Sequence, residues 1–185
     1  ALKEMTPDQV IEEVKKLAPG KPIRFVINSH SHFDHSGGLR SAVAAGATVL
    51  TQAGNKAFFE KAFATSNRIA PDLLAKSGKK ARIIGVGDKH ELSDGMRTIV
   101  LHRIKSGNHN DTFQMVYLPK EKLLIEADAF TPGPPHAPPP ATPNANNLNL
   151  VENIERLRLS VDKILPLHGR VVPLGELYTA IGKPR

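Results

Sequence analysis

Cysteine and tryptophan are absent from the 185 residues, and there are only two tyrosines. Without thiols no disulfide forms and no zinc is held by thiolate, so any bound metal must rely on imidazole and carboxylate groups. The seven phenylalanines follow no stacking pattern, so the chain lacks the aromatic platform on which single-stranded nucleic acid lies. No apolar run approaches the ~18 residues that cross a bilayer. Ala1 to Asp8 holds no apolar stretch of the kind a secretory leader carries. A soluble protein is expected, with periplasm and cytoplasm both left open.

What is present suits one domain over residues 1–185. Some 40% of the chain is hydrophobic, enough to bury a real core. The net charge of +7 is carried by short, separated groups such as Lys15-Lys16, Lys79-Lys80 and Arg103 to Lys105. A scattered excess of this kind reads as a basic solvated surface rather than a nucleic-acid footprint. A nucleic-acid partner is therefore not expected, and the partner looked for is a small-molecule substrate.

Thr6-Pro7-Asp8-Gln9 has the form of a capping box with proline at the first helical position. Val10, Val14 and Leu17 give that helix an apolar face, and Pro19-Gly20 ends it. Ile23 to Asn28 reads as a short buried strand, and Gly37-Gly38 leads into a small-residue helix. A strand at Ala47 to Leu50, a helix at Asn55 to Phe63 and a turn of helix at Pro71 to Lys76 continue an α/β alternation. The stretches RIIGVG, KHEL and MRTIVLHRI then read as antiparallel strands about a tight turn at Asp94-Gly95. A further hairpin joins Phe113–Leu118 to Leu123–Ala127. Residues 131–147 are rich in proline and asparagine and are expected to form a long surface loop, functional or merely connecting. A helix at Leu148 to Ser160, a buried strand at Lys163 to Leu167 and a helix at Gly175 to Ile181 complete the chain.

The chemistry is concentrated in His30-Ser31-His32-Phe33-Asp34-His35, three imidazoles and a carboxylate within six residues. On an extended loop His30 and His32 point the same way and can grip one ion. Asp34 and His35 leave in another direction and can grip a second. Zinc-class cations favour these donors and keep a position for water at catalytic sites.

This segment resembles the HxHxDH signature of the metallo-β-lactamase superfamily. The resemblance runs from about Ile23 to Val172, because His109, Asp128 and His168 follow in the order and loop positions of that family's later ligands. It implies a metallo-β-lactamase-like αβ/βα sandwich, of α/β (α+β) class. Only 29 residues precede His30, so the sandwich is expected to lack much of its N-terminal half-sheet. A chain shortened in this way would carry an uncovered sheet edge suited to a homodimer or to strand exchange. The resemblance further implies two metal ions, zinc first, with iron or manganese as alternatives. His30, His32 and His109 would hold one ion, Asp34, His35 and His168 the other, and Asp128 would bridge them. The implied activity is hydrolysis of an ester, lactone, thioester or similar bond by a metal-bridging hydroxide, with Asp34 also orienting the nucleophile or passing a proton to the leaving group. A bridging aspartate at Asp128 places the chain nearer the thioesterase, lactonase and phosphodiesterase members than the β-lactamases. The alternatives are an iron-containing redox relative of the same fold and a metal-bound module without catalysis.

Three histidines fall outside the signature, and each is read first as structural. His90 lies in an edge hairpin. His102 alternates with apolar residues and is either strand-exposed or a supporting residue. His136 lies in the proline-rich loop, where touching substrate is the alternative role.

Overall fold

Thr6 caps the first helix as its sequence requires. Its hydroxyl accepts from Gln9 N, while the Gln9 side chain accepts from Thr6 N. The resulting helix α1 spans Pro7–Leu17. The computed structural model describes residues 6–65, 69–135 and 137–183 and divides into two units, residues 1–86 and 87–185. His136 lies outside the described residues.

The first unit continues with β1 (Phe25–Ile27), α2 (Phe33–Ser36), α3 (Leu39–Ala44), β2 (Thr48–Gln52), α4 (Lys56–Ala64), α5 (Leu73–Ser77) and β3 (Ile83–Val86). The strands form one parallel sheet in the order β1-β2-β3. Its core is Leu39 and Val43 of α3, Val49 of β2, Phe59 of α4 and Leu74 of α5. Two expectations are corrected here. RIIGVG does not join an antiparallel set: β3 pairs parallel with β2, because the intervening helices return the chain to the same end of the sheet. Nor is the first strand buried. β1 pairs only with β2 among the described residues, which leaves Phe25 exposed and Val26 and Ile27 half-buried. The apolar face of α1 is also less covered than its periodicity suggests, with Val10, Val14 and Leu17 all exposed.

The second unit holds β4 (Lys89–Ser93), β5 (Thr98–Arg103), β6 (Gln114–Leu118), β7 (Leu123–Glu126), α6 (Ala145–Arg156), β8 (Lys163–Pro166), β9 (Val172–Pro173) and α7 (Leu174–Ala180). The six strands pair in sequence order, antiparallel except for β7 with β8. The expected turn at Asp94-Gly95 forms because Asp94 Oδ1 accepts from Met96 N and Arg97 N, and Gly95 takes a positive φ of 86°. Helices α6 and α7 bury Leu150, Val151, Ile154, Leu177 and Tyr178 with Met115, Leu124 and Ile164 of the sheet. α6 begins three residues before the expected start, because Asn144 caps it by accepting from Asn146 N. The irregular segment after β7 is correspondingly shorter. Among the described residues no helix is long and apolar enough to cross a membrane.

The two leucines Leu124 and Leu17 test this packing. Leu124 is fully buried and Leu17 is 78% exposed. Leu124→Ala is expected to cost about 2–5 kcal/mol of unfolding free energy. Leu17→Ala should stay within about 0.5 kcal/mol. Urea unfolding of the two variants measures both.

Candidate metal centre

In the first unit the ligand segment hangs from the end of β1 by a chain of buried amides. Asn28 Nδ2 donates to His30 O at 2.6 Å and His35 O at 3.2 Å, tying both ends of the segment to one side chain. Thr51 Oγ1 donates to Asn28 Oδ1, and Asn55 Nδ2 donates to Thr51 Oγ1. All three residues are buried, so each lost bond would leave a desolvated polar group. The segment is not extended throughout, as the sequence suggested: Phe33–Ser36 close into the short helix α2. His30 and His32 still come together, with ring centroids 4.4 Å apart. His35 is equally near, its ring 4.5 Å from that of His30, and its Nε2 lies 3.2 Å from Asp34 Oδ2. His30 is completely buried while His32 and Asp34 are exposed.

In the second unit Asp128 sits in the bend after β7. Its Oδ2 is 2.9 Å from His109 Nε2, and its Oδ1 is 3.2 Å from His168 Nε2. Glu126 folds that bend, its Oε2 accepting from Ala129 N at 2.8 Å and Phe130 N at 3.1 Å. Burial pushes the Glu126 carboxyl up to about 8, against the pull of those two amides, and the nearby Asp128 adds to the rise. His168 lies two residues past the end of β8, and Leu167 N just before it donates to Glu126 O, so Glu126 is bonded to both the bend that carries Asp128 and the one that carries His168.

His109 is placed by asparagines of α6. Lys105 N donates to Asn153 Oδ1 at 2.9 Å, and Lys105 O accepts from Asn149 Nδ2 and Asn153 Nδ2 at 2.8 and 3.0 Å. A Cβ on Gly107 would lie 2.9 Å from Asn149 Oδ1, so a larger residue there would require the Asn149 amide to shift. The structure thus gathers His30, His32, Asp34 and His35 in one unit and His109, Asp128 and His168 in the other. Asn28, Thr51, Asn55, Glu126, Asn149 and Asn153 carry no pattern in the sequence that marks these roles. Their only mark was adjacency: Asn28 two residues before His30, Glu126 two before Asp128.

A family model described as the metallo-beta-lactamase superfamily matches residues 4–170. The chain belongs to that superfamily. Among solved structures, this superfamily member is similar to the rubredoxin oxygen:oxidoreductase of Desulfovibrio gigas. The TM-score is 0.69 at 17% identity, over 96% of this chain and 47% of that one. It is similar to a metallo-beta-lactamase from Pontibacter korlensis, with TM-score 0.63 and 16% identity over 94% and 74% of the two chains. It is also similar to a flavodiiron protein from Giardia intestinalis, with TM-score 0.64 and 17% identity over 95% and 45%. The chain spans about half the length of the first and third of these. No curated protein sequence gives a significant match.

Of the remaining histidines, His90 is half-buried on β4. His102, on β5, is neither exposed nor paired: it is 6% exposed and its buried Nδ1 has no hydrogen-bond partner. Burial lowers its pKa, and the charges of Lys89 and Arg156 lower it further against an opposing pull from Glu91.

Two outcomes are expected. Asn153→Ala leaves the backbone N–H of Lys105 without its acceptor, and should cost about 1–3 kcal/mol in urea unfolding while weakening metal retention through His109. For His102, the unfolded chain takes up a proton below the ordinary value of 6.5 while the folded chain resists it. Stability should therefore fall as pH drops from 6.5 through the lower folded value, and His102→Leu should flatten that part of the profile. Unfolding midpoints measured across acid pH provide the check.

Proposed function

We propose that the chain is a dinuclear metal-dependent hydrolase acting on an ester, lactone, thioester or related bond. The observation that carries this is the placement of Asp128, whose two carboxylate oxygens face different histidines at 2.9 and 3.2 Å. A carboxylate so set would be able to serve two ions. On this reading His30, His32, Asp34, His35, His109, Asp128 and His168 would hold the pair. All seven donors are imidazole nitrogens or carboxylate oxygens, which suit zinc and are also acceptable to iron and manganese. When bound, such a pair of ions supplies a water acidified towards neutrality and a Lewis acid for the electrophile's oxygen.

The chain's own groups do the rest. Asp34, exposed beside His35, would orient the attacking water and carry a proton to the leaving group. The buried His30 is the rigid member of its set, fixed by Asn28 through its backbone carbonyl and by Ser29 Oγ, 3.2 Å from its Nδ1. This kind of support keeps a ligand ring at one angle. Hydrolysis on these terms needs no serine or cysteine nucleophile.

A redox role on iron is the second reading. It is favoured by likeness to an oxygen:oxidoreductase and a flavodiiron protein, and it uses the same donors. Elemental mass spectrometry on protein purified without added metal separates the two. About two zinc ions per chain, falling in both His109→Ala and Asp128→Ala, is the expected result, with turnover of a lactone, thioester or phosphodiester in the unaltered protein. Two iron ions would favour the redox reading. Metal near zero, with none regained on adding zinc, would overturn both.

A further inference from the structure

Beyond Asp128 the chain builds, together with α7, a cavity of about 760 Å³ inside the second unit. That lies in the range of pockets that enclose small organic ligands, roughly 300–1,000 Å³. It is an open pocket, walled by Phe130 and Ala180 and by the solvent-exposed prolines of residues 134–140, with Thr131, Asn147 and Thr179 as uncharged polar members. Proline walls present C–H surface on a backbone with φ already fixed, so little order is lost when a ligand enters. Among the described residues the lining carries two charged groups, Arg170 and Glu176, and they pair with each other. Arg170 Nη1 donates to Glu176 Oε1 at 2.9 Å and Nη2 to Oε2 at 2.5 Å. The overall charge of +7 is therefore not expressed here.

The wall is fastened to the segments that bear two of the ligand residues. Phe130 stands two residues after Asp128, and Arg170 two after His168. Arg170 Nη2 also donates to Gly133 O at 3.3 Å. Gly169 has a φ of +134°, and a Cβ there would come within 3.0–3.1 Å of Pro132, so the loop is seated directly on the turn after His168.

We propose that this cavity binds an uncharged apolar group, aromatic or aliphatic. Resting on the hydrolase reading, it takes the apolar side of the substrate next to the bond that is cleaved. The substrate class is then an ester, lactone or thioester with an extended hydrocarbon or aryl part, in preference to one with a charged group at that end.

Titration with the neutral fluorophore N-phenyl-1-naphthylamine tests the pocket without reference to turnover, on protein as purified and after chelation. Saturable binding of about one probe per chain is expected in both. Ala180→Trp, which fills the cavity from α7, should weaken it about tenfold or more. Ala137→Trp fills the space from the exposed loop, where folding is not at risk, and should act in the same direction. Met96→Trp, on the exposed β4–β5 turn, should leave binding unchanged. The same two filling variants should lose cleavage of 4-nitrophenyl decanoate while keeping that of 4-nitrophenyl acetate. Absence of saturable binding, or equal binding in both filled variants, overturns the pocket even if metal and acetate cleavage are normal. Probe binding that is lost on filling, with no ester cleaved by metal-loaded protein, supports the pocket and overturns the hydrolase reading on which the substrate class rests.

Discussion

A carboxylate held between two imidazoles is the constraint around which the second unit is organised. Asp128 can meet His109 with one oxygen and His168 with the other only if three separate bends are fixed at once. Glu126 fixes two of them. Its carboxylate folds the chain at 129 and 130, and its backbone carbonyl receives Leu167 N just before His168. The third bend, which carries His109, is tied through Lys105 to Asn149 and Asn153 of α6. Burying polar groups is costly where bonds are not made: Glu126 Oε2 has its two amide donors, while its buried Oε1 has no hydrogen-bond partner among the described residues. The cost is visible at Glu126, whose carboxyl is driven towards its neutral form by burial.

The first unit meets the same requirement with a different device. There the ligands are consecutive, and one amide, Asn28, spans the segment from His30 to His35. Thr51 and Asn55 then tie Asn28 to the end of the neighbouring strand and the start of α4. Both units place their candidate ligand residues in the chain beyond the strands, apart from the two hydrophobic clusters. Stability and chemistry are thereby separated, which is the arrangement that lets precise groups sit on otherwise irregular backbone.

How far this was legible in the sequence follows from the range of the interactions involved. The α1 capping box and the Asp94-Gly95 turn are local patterns, and each appears as its residues suggest; the His30–His35 segment brings His30 and His32 together as expected but closes into α2 instead of staying extended. Pairings set by distant chain are less readable. β3 holds an apolar run that suits either direction, and only the return path through α4 and α5 makes it parallel to β2. The exposure of β1 depends on its having β2 as its one strand partner among the described residues, which no feature of Phe25-Val26-Ile27 encodes. Glu126 and Asn153 looked like ordinary polar residues because their partners lie elsewhere, in backbone groups that carry no side-chain signal. His102 looked exposable because it alternates with apolar neighbours, yet α6 and β4 bring Arg156 and Lys89 near it and bury the ring.

Fold likeness leaves the chemistry open, since proteins named as β-lactamase and as oxygen:oxidoreductase share this backbone at similar TM-scores. Function in such a case is decided by what the site holds and what its walls admit. The donors here suit several metals, so the walls carry more of the discrimination than the ligands do. In the second unit those walls are proline and phenylalanine on a segment that leaves the sheet immediately after Asp128 and is pinned again beside His168. Changing residues 131–140 would alter what fits there while leaving Glu126, Asn149 and Asn153, and with them the ligand bends, in place. A loop anchored beside both Asp128 and His168, but packed, among the described residues, on neither core cluster beyond Phe130, is where the proposed substrate preference would vary without disturbing the bends that carry those two residues.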